Sequence, residues 1–409
     1  MKKLSTYLAE EKNVHMEHLE DSIFNFGVRG AREAINFLQS LRDMLSGSST
    51  TAVDTTVKWD GAPAIFAGTD PRDGKFFVAK KGVFNKEPKI YKTSEEIDGD
   101  FGSNDLGTKF KLALRELPKL GITGVIQGDF LYSNDTLGTE TIEGEKLVTF
   151  HPNTIVYAVP YSSELGKKIR SSKIGIVWHT RYVGDSFESM KAEFGKDISS
   201  KLSQVKTVWH TDATYKDVSG SATMTKSETD TITSLLSSAG KTFRKVNSKT
   251  LNQIADNEEI KTRIKTHFNS KVREGQKVTN PRAHVRDLVS YVIKWYDKQI
   301  ESKKTEKGKA PWIAKKKEMM RFFGGSNVKD LIQIFTLMNQ IIDAKELIIK
   351  KMDKASSIGT FLKTKSGYKV TSPEGYVAIN NDGESVKLVN RMEFSKANFS
   401  DEVIKGWQK

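Results

Sequence analysis

Cysteine is absent from the 409-residue chain. A disulfide scaffold, a thiol nucleophile and cysteine-ligated zinc are therefore excluded. No stretch of about 18 apolar residues exists, so no membrane span is expected. The most apolar run, Leu331–Ile342, is interrupted by Gln333, Asn339 and Gln340. No apolar core follows the initial Met-Lys-Lys, so no secretory signal is expected. Internal repeats of about 20–50 residues are missing too. A soluble protein of a reducing compartment is the expectation, with the cytoplasm as its location.

The chain does have enough apolar residues for a core: 37% are hydrophobic and 9% aromatic. Its length suits two domains, or one core with a large insertion. Lys and Arg number 65 against 51 Asp and Glu, a net charge of +14. This excess is not spread evenly. Residues 1–180 hold 23 basic and 24 acidic residues, whereas residues 241–330 hold 23 and 10. A block of net +13 suits a surface built for phosphates.

Residues 1–48 read as a helical segment, with Ala34, Ile35, Leu38, Leu41 and Leu45 at helical spacing. Residues 49–182 switch to short runs of β-branched and aromatic residues: 62–67, 75–79, 124–132, 154–161 and 173–182. Asp73-Gly74 reads as a hairpin turn between the first two. There is no regular βαβ alternation. Residues 183–357 are read as a mainly helical, basic domain. Within it, Val285, Leu288, Val289, Val292, Ile293, Tyr296 and Ile300 mark one amphipathic stripe, and Val328, Leu331, Ile332, Phe335, Met338, Ile342 and Leu347 mark another. Strand patterns return over 358–409, split by Ser366-Gly367 and Asp382-Gly383. The expected fold class is α+β, an antiparallel core interrupted by a large helical insertion.

Chemistry centres on Lys58-Trp59-Asp60-Gly61. Lysine becomes a nucleophile when burial or neighbouring cations lower its pKa. A nearby Asp can orient it, and a Gly lets a phosphate approach the backbone. The sequel adds Lys80-Lys81-Gly82 after a strand, Asp129 inside a hydrophobic strand, Tyr157 in Ile155-Val156-Tyr157, Glu374-Gly375-Tyr376-Val377, and Lys387.

In this order the set resembles the covalent nucleotidyltransferase superfamily of ATP-dependent DNA ligases, RNA ligases and mRNA capping enzymes. The resemblance covers about 50–160 and 360–395, and it implies an antiparallel, ATP-grasp-like nucleotidyltransferase core. It assigns Lys58 as the residue that takes AMP from ATP, with Asp60 in the same motif and Lys387 as the phosphate lysine. Gly61, Lys81, Tyr157, Glu374 and Lys387 would bind the nucleotide, Tyr157 by stacking on its base. Asp129 and Glu374 would hold Mg²⁺. Where the family offers two lysines in its last motif, only Lys387 stands here. The 22 residues after it are too few for an OB domain. An RNA-ligase-like form is thus favoured over a DNA-ligase-like one, and the lean core is similar to bacteriophage enzymes, for which the compartment would be the host cytoplasm. Two other readings are a non-ligase nucleotidyltransferase and a nucleic-acid-binding protein whose core has lost catalysis.

Arg282, Arg286, Lys294, Lys298, Lys303, Lys304, Lys315, Lys316 and Lys317, with Trp312 among them, are the expected nucleic-acid surface: cations for the backbone and an aromatic for stacking. His15-Met16-Glu17-His18 has metal-compatible spacing but no third ligand nearby, and is read as a helix face. His179 and His210, in the repeated Val-Trp-His-Thr, are read as strand histidines. Gly324-Gly325-Ser326 is read as a turn.

Overall fold

The helical stripes and the alternating runs form separate layers. The structure, a computed structural model, describes residues 17–47, 54–194, 196–214, 223–355, 358–379 and 385–408. His15, Met16, Asp382, Gly383 and Glu384 lie outside the described residues.

Helix α1 (Ser22–Leu45) packs with α5 (Lys226–Lys245), α6 (Ser248–Asp256), α7 (Glu258–Arg273), α8 (Pro281–Glu301), α9 (Glu306–Phe323) and α10 (Asn327–Met352) around one apolar core. That core includes Leu38, Leu41, Leu236, Ile264, Leu288, Tyr296, Phe335 and Met338, all 0–1% exposed. Burial of each such side chain contributes about 1.5–3 kcal/mol. Local signals set the helix starts. Thr225 and Glu228 form a capping box at α5, and Asn280 caps α8 ahead of Pro281. The N-terminal helix is therefore a wall of the helical core and not a segment apart.

The strands form three sheets. In the first, β1 (Asp54–Lys58) pairs with β14 (Gly375–Ile379), which pairs with β15 (Ser385–Leu388), all antiparallel. Tyr376 and Leu388 on this small sheet join the helical core, with Val57 and Val386 packed against it. The second sheet has the order β10-β9-β5-β2-β3-β4. It comprises β2 (Ala64–Thr69), β3 (Phe76–Ala79), β4 (Ile90–Tyr91), β5 (Val125–Ser133), β9 (Ile174–Val183) and β10 (Lys191–Phe194). Strand β11 (Val208–Asp212) adds to β9 in parallel. Helices α2 (Ser94–Phe101) and α3 (Asp105–Glu116) cover one face through Ile97, Phe110 and Ala113.

The third sheet has the order β13-β12-β8-β7-β6, from β6 (Gly138–Ile142), β7 (Glu145–Phe150), β8 (Ile155–Pro160), β12 (Gly359–Thr364) and β13 (Gly367–Val370). Helix α4 (Glu164–Ser171) packs on β7 and β8, and α11 (Arg391–Phe399) packs on α7. Residues after 358 thus complete two sheets begun by residues 54–160. The protein is mixed α and β with antiparallel sheets, as the strand and turn pattern implies.

One boundary differs from the sequence reading. Among the described residues of 183–214 there is no α-helix, only a 3-10 turn at Ser199–Lys201: β10 and β11 hydrogen-bond to β9, and the long helices begin only at Lys226. The Val-Trp-His-Thr repeat marks β11 as a strand, but the Ser/Thr-rich composition hid the short β10, whose stability comes from pairing and not from an alternation of its own.

Ion pairs tie the layers together at the start of α1. Lys345 on α10 donates to Glu20 at 2.7 Å, with both side chains 1% exposed. Arg391 on α11 reaches Asp21 at 3.0 Å. Lys265 on α7 reaches Glu17 at 3.0 Å. The Lys387 amide donates to the Glu17 carbonyl at 2.9 Å, which ties β15 to this cluster.

Candidate functional site

Strand pairing brings the widely spaced motif residues into one cluster. Lys58 ends β1 directly opposite Gly375, so Glu374 arrives beside it, and Lys58 Nζ donates to Glu374 Oε1. Gly375 has φ +136°, and a Cβ there would fall 2.4 Å from the Leu388 carbonyl, so this turn into β14 requires glycine. Lys387 lies opposite Val377 on β15, and Val377 lies opposite Thr56 on β1. By strand alternation Lys387 therefore shares a sheet face with Lys58. The apolar face of the same sheet is spent on the helical core, so the lysines stand on its other face.

Asp129 approaches from the second sheet, opposite Ala64 at the start of β2. Gly61 lets the two layers meet: a Cβ on it would sit 2.4 Å from the Asp129 Cβ. Lys81 is exposed and follows β3 at the end of the sheet where β2 begins.

The electrostatics follow from burial. Desolvation pushes Asp129 up to about 7, against the attraction of Lys58 and with the repulsion of Glu374 and Asp60. Glu374 is likewise pushed up to about 7 by burial, with Lys58 opposing. Lys387 is lowered, first by burial and then by Lys58. Two carboxylates that repel each other thus surround one lysine, with a second lysine nearby. Perturbed groups gathered in this way are a mark of functional sites. Among the described residues, no group of three or more His, Cys, Asp or Glu side chains is arranged to hold a metal by itself.

Two expected roles are corrected by the geometry. Asp60 does not orient Lys58 by a hydrogen bond. Its buried carboxylate accepts from Asn153 Nδ2 (2.6 Å), the Thr154 amide (2.6 Å) and the Ile155 amide (2.8 Å), and so anchors the loop before β8. Burial raises its pKa, and these bonds oppose the rise. Tyr157 is 3% exposed, with its ring stacked on Phe150 at 5.3 Å and against Trp59 at 4.9 Å. It has no free face for a nucleobase. Its hydroxyl instead accepts from the Asp60 amide at 2.7 Å.

His179 belongs to the site, although its sequence context gave a plain strand histidine. The β5–β9 register shifts between Gln127 and Gly128, and His179 is the extra residue of that bulge. Its Nε2 lies 3.8 Å from Asp129 Oδ2, and its Nδ1 lies 2.7 Å from Thr180 Oγ1. Burial and the charge of Lys58 lower it to about 4. The pairing of β9 with β5 is the missing signal, and no local pattern carries it. His210 sits on the parallel neighbour β11, near Ser199 and Gln204.

The expected nucleic-acid residues lie on the helical layer. Arg282, Arg286, Lys294 and Lys298 are exposed along α8 opposite its buried face of His284, Val285, Leu288, Val292 and Tyr296. None has an ion-pair partner within 4 Å among the described residues. Lys304 and Lys317 are exposed as well, and Lys303 is half-buried. Lys316 is engaged by Asp297, and Lys315 lies 3.9 Å from Glu259. Trp312 packs on Trp295 at 5.9 Å, with the ammonium groups of Lys303 and Lys315 at 5.5 and 5.4 Å from its ring. It is an interhelical contact and does not stand clear as a platform. Among the described residues no helix is long and apolar enough to cross a membrane.

An antiparallel α and β chain with a lysine–carboxylate cluster is the class these observations define. The chain belongs to DUF6267, a family of unknown function, whose profile matches residues 13–403. No curated protein and no solved structure matches it.

Proposed function

We propose that this chain is an ATP-dependent polynucleotide ligase of the covalent nucleotidyltransferase type, with RNA favoured over DNA as substrate. The observation that carries this reading is the cluster of Lys58, Asp129, Glu374 and Lys387, drawn together from 330 residues of sequence in the motif order of that superfamily. The antiparallel sheets that hold it are compatible with a nucleotidyltransferase core.

The chemistry divides among these residues. Lys58 Nζ, as the free amine, attacks the α-phosphorus of ATP. An N–P bond forms, the bond to the β-phosphate oxygen breaks, and pyrophosphate leaves. Glu374, already bonded to Nζ and titrating near neutrality, is placed to take the amine proton. Lys387 and Lys81 supply positive charge for the phosphates. Asp129 and Glu374 would hold a magnesium ion, since two mutually repelling carboxylates are a usual protein share of such a site. That ion would neutralise charge on the phosphates. AMP then passes to a 5′-phosphate end, a 3′-hydroxyl attacks, the strand is sealed and AMP is released. The α8 stripe would grip the polynucleotide.

Incubation with α-labelled ATP and magnesium, followed by a denaturing gel, tests the first step. Label on the wild type that is absent from Lys58→Ala supports the reading. Sealing of nicked RNA, nicked DNA and single-stranded RNA then separates a ligase from a transferase with another acceptor.

A further inference from the structure

We infer that residues 397–408 are a positioning element for the Lys58–Gly61 motif and act on it through the loop 151–155. The loop is bonded on two sides. On one side Asn153, Thr154 and Ile155 donate three hydrogen bonds to the Asp60 carboxylate. On the other side Thr154 Oγ1 donates to Asn398 Oδ1 at 2.6 Å, and the Gly406 amide donates to the Asn153 carbonyl at 2.6 Å. Asn153 and Thr154 therefore each bond both Asp60 and the 397–408 segment.

The fit on that second side is tight. A Cβ on Gly406 would lie 1.9 Å from the His151 carbonyl oxygen and 3.1 Å from the Pro152 carbonyl carbon. The segment is itself held. Lys405 is 7% exposed and its Nζ donates to the Ala397 carbonyl at 2.7 Å, which closes the segment on the end of α11. The Ile404 amide donates to the Lys363 carbonyl at 2.9 Å, which pins it to β12. A surface loop bonded on one side only samples several conformations. Bonded on both sides, 151–155 presents its two amides to Asp60 in one geometry. Asp60 lies between the Lys58 nucleophile and the Gly61 contact on Asp129, so the direction of Lys58 depends on that geometry. None of residues 397–408 touches the reacting atoms in this account.

The activity arm of the test rests on the proposed nucleotidyl transfer, and the exchange arm does not. Thr154→Val, Asn398→Ala, their combination and Gly406→Ala are compared with wild type by amide hydrogen exchange. Exchange at Thr154 and Ile155 should quicken about tenfold in each variant while β5 amides hold their protection. Thr154→Ser, which keeps the hydroxyl, should exchange as wild type does. The Thr154→Val and Asn398→Ala effects should be non-additive, because both remove one bond. For lysyl-nucleotide formation, kcat should fall about tenfold with KM for ATP within about twofold. Unchanged exchange at 154 and 155 in Asn398→Ala and Gly406→Ala overturns the inference, as does strict additivity of the cycle. If the wild type takes no label at all, the nucleotidyl-transfer reading fails, and the exchange data alone decide the positioning role.

Discussion

Replacing Asp129 by Asn should make the protein more stable at alkaline pH. Asp129 titrates at about 7 in the folded chain against an ordinary value of 3.8. Between those values the folded state holds a proton that the unfolded chain has released. The stability this group contributes is therefore complete below about pH 4 and is lost as pH rises through about 7. Three units at about 1.4 kcal/mol each set a ceiling of about 4 kcal/mol. The side chain is still 21% exposed to water, and with that screening we expect about 2 kcal/mol. Denaturant midpoints of wild type and Asp129→Asn, measured at several pH values between about 3.5 and 8.5, read the difference directly. The variant should lead by about 2 kcal/mol at the alkaline end, and its lead should vanish near pH 4. A variant that is less stable at pH 8.5, or a lead that does not change with pH, would refute the burial argument for the site. The same substitution should abolish or strongly reduce lysyl-nucleotide formation, so that stability and activity move in opposite directions.

Other perturbations probe separate parts of the account. Lys345→Met takes the 2.7 Å partner from buried Glu20, leaving it only Arg391 at 3.9 Å, and should cost about 3 kcal/mol; adding Glu20→Gln should recover part of the loss, and calorimetry of the pair decides this. Tyr157→Phe should cost about 1–3 kcal/mol, read from denaturant midpoints, by orphaning the Asp60 amide; a residue that served only through its ring would lose nothing, because phenylalanine keeps the ring. Reversing the charges of Arg282, Arg286, Lys294 and Lys298 should reduce the log–log salt slope of single-stranded RNA binding by about three, at about 0.7 per phosphate contact. An unchanged slope would make that stripe a solvated helix face.

Much of the fold was legible because its signals are local. Alternation bounded by turn residues located β3, β8 and β9 within a residue or two, and helical spacing identified the buried faces of α1 and α8 and most of that of α10, where Leu347 instead faces solvent at 38% exposure. Motif order singled out Lys58, Glu374 and Lys387, and the β1–β14–β15 register is what brings these three side chains together. What stayed hidden depends on pairing between distant strands. His179 reaches Asp129 only because β9 lies beside β5 and bulges there. Tyr157 has the right residue type for base stacking, but Phe150 and Trp59 cover its ring, and neither contact has a trace in the local sequence. Asp60 reads as an orienting acid beside Lys58, yet its bonds go to a loop more than 90 residues away. Lys316 and Lys317 are adjacent and identical in sequence, but only the first is engaged by Asp297.

Covalent labelling decides whether Lys58 is a nucleotide-accepting nucleophile. Wild-type protein is incubated with α-labelled ATP or GTP and magnesium, denatured, digested and mapped by peptide mass. A nucleotide bonded to Lys58, released by added pyrophosphate and absent from Lys58→Ala, is the expected result. Wild-type protein that takes no label from either nucleotide, or label that persists in Lys58→Ala, would contradict it.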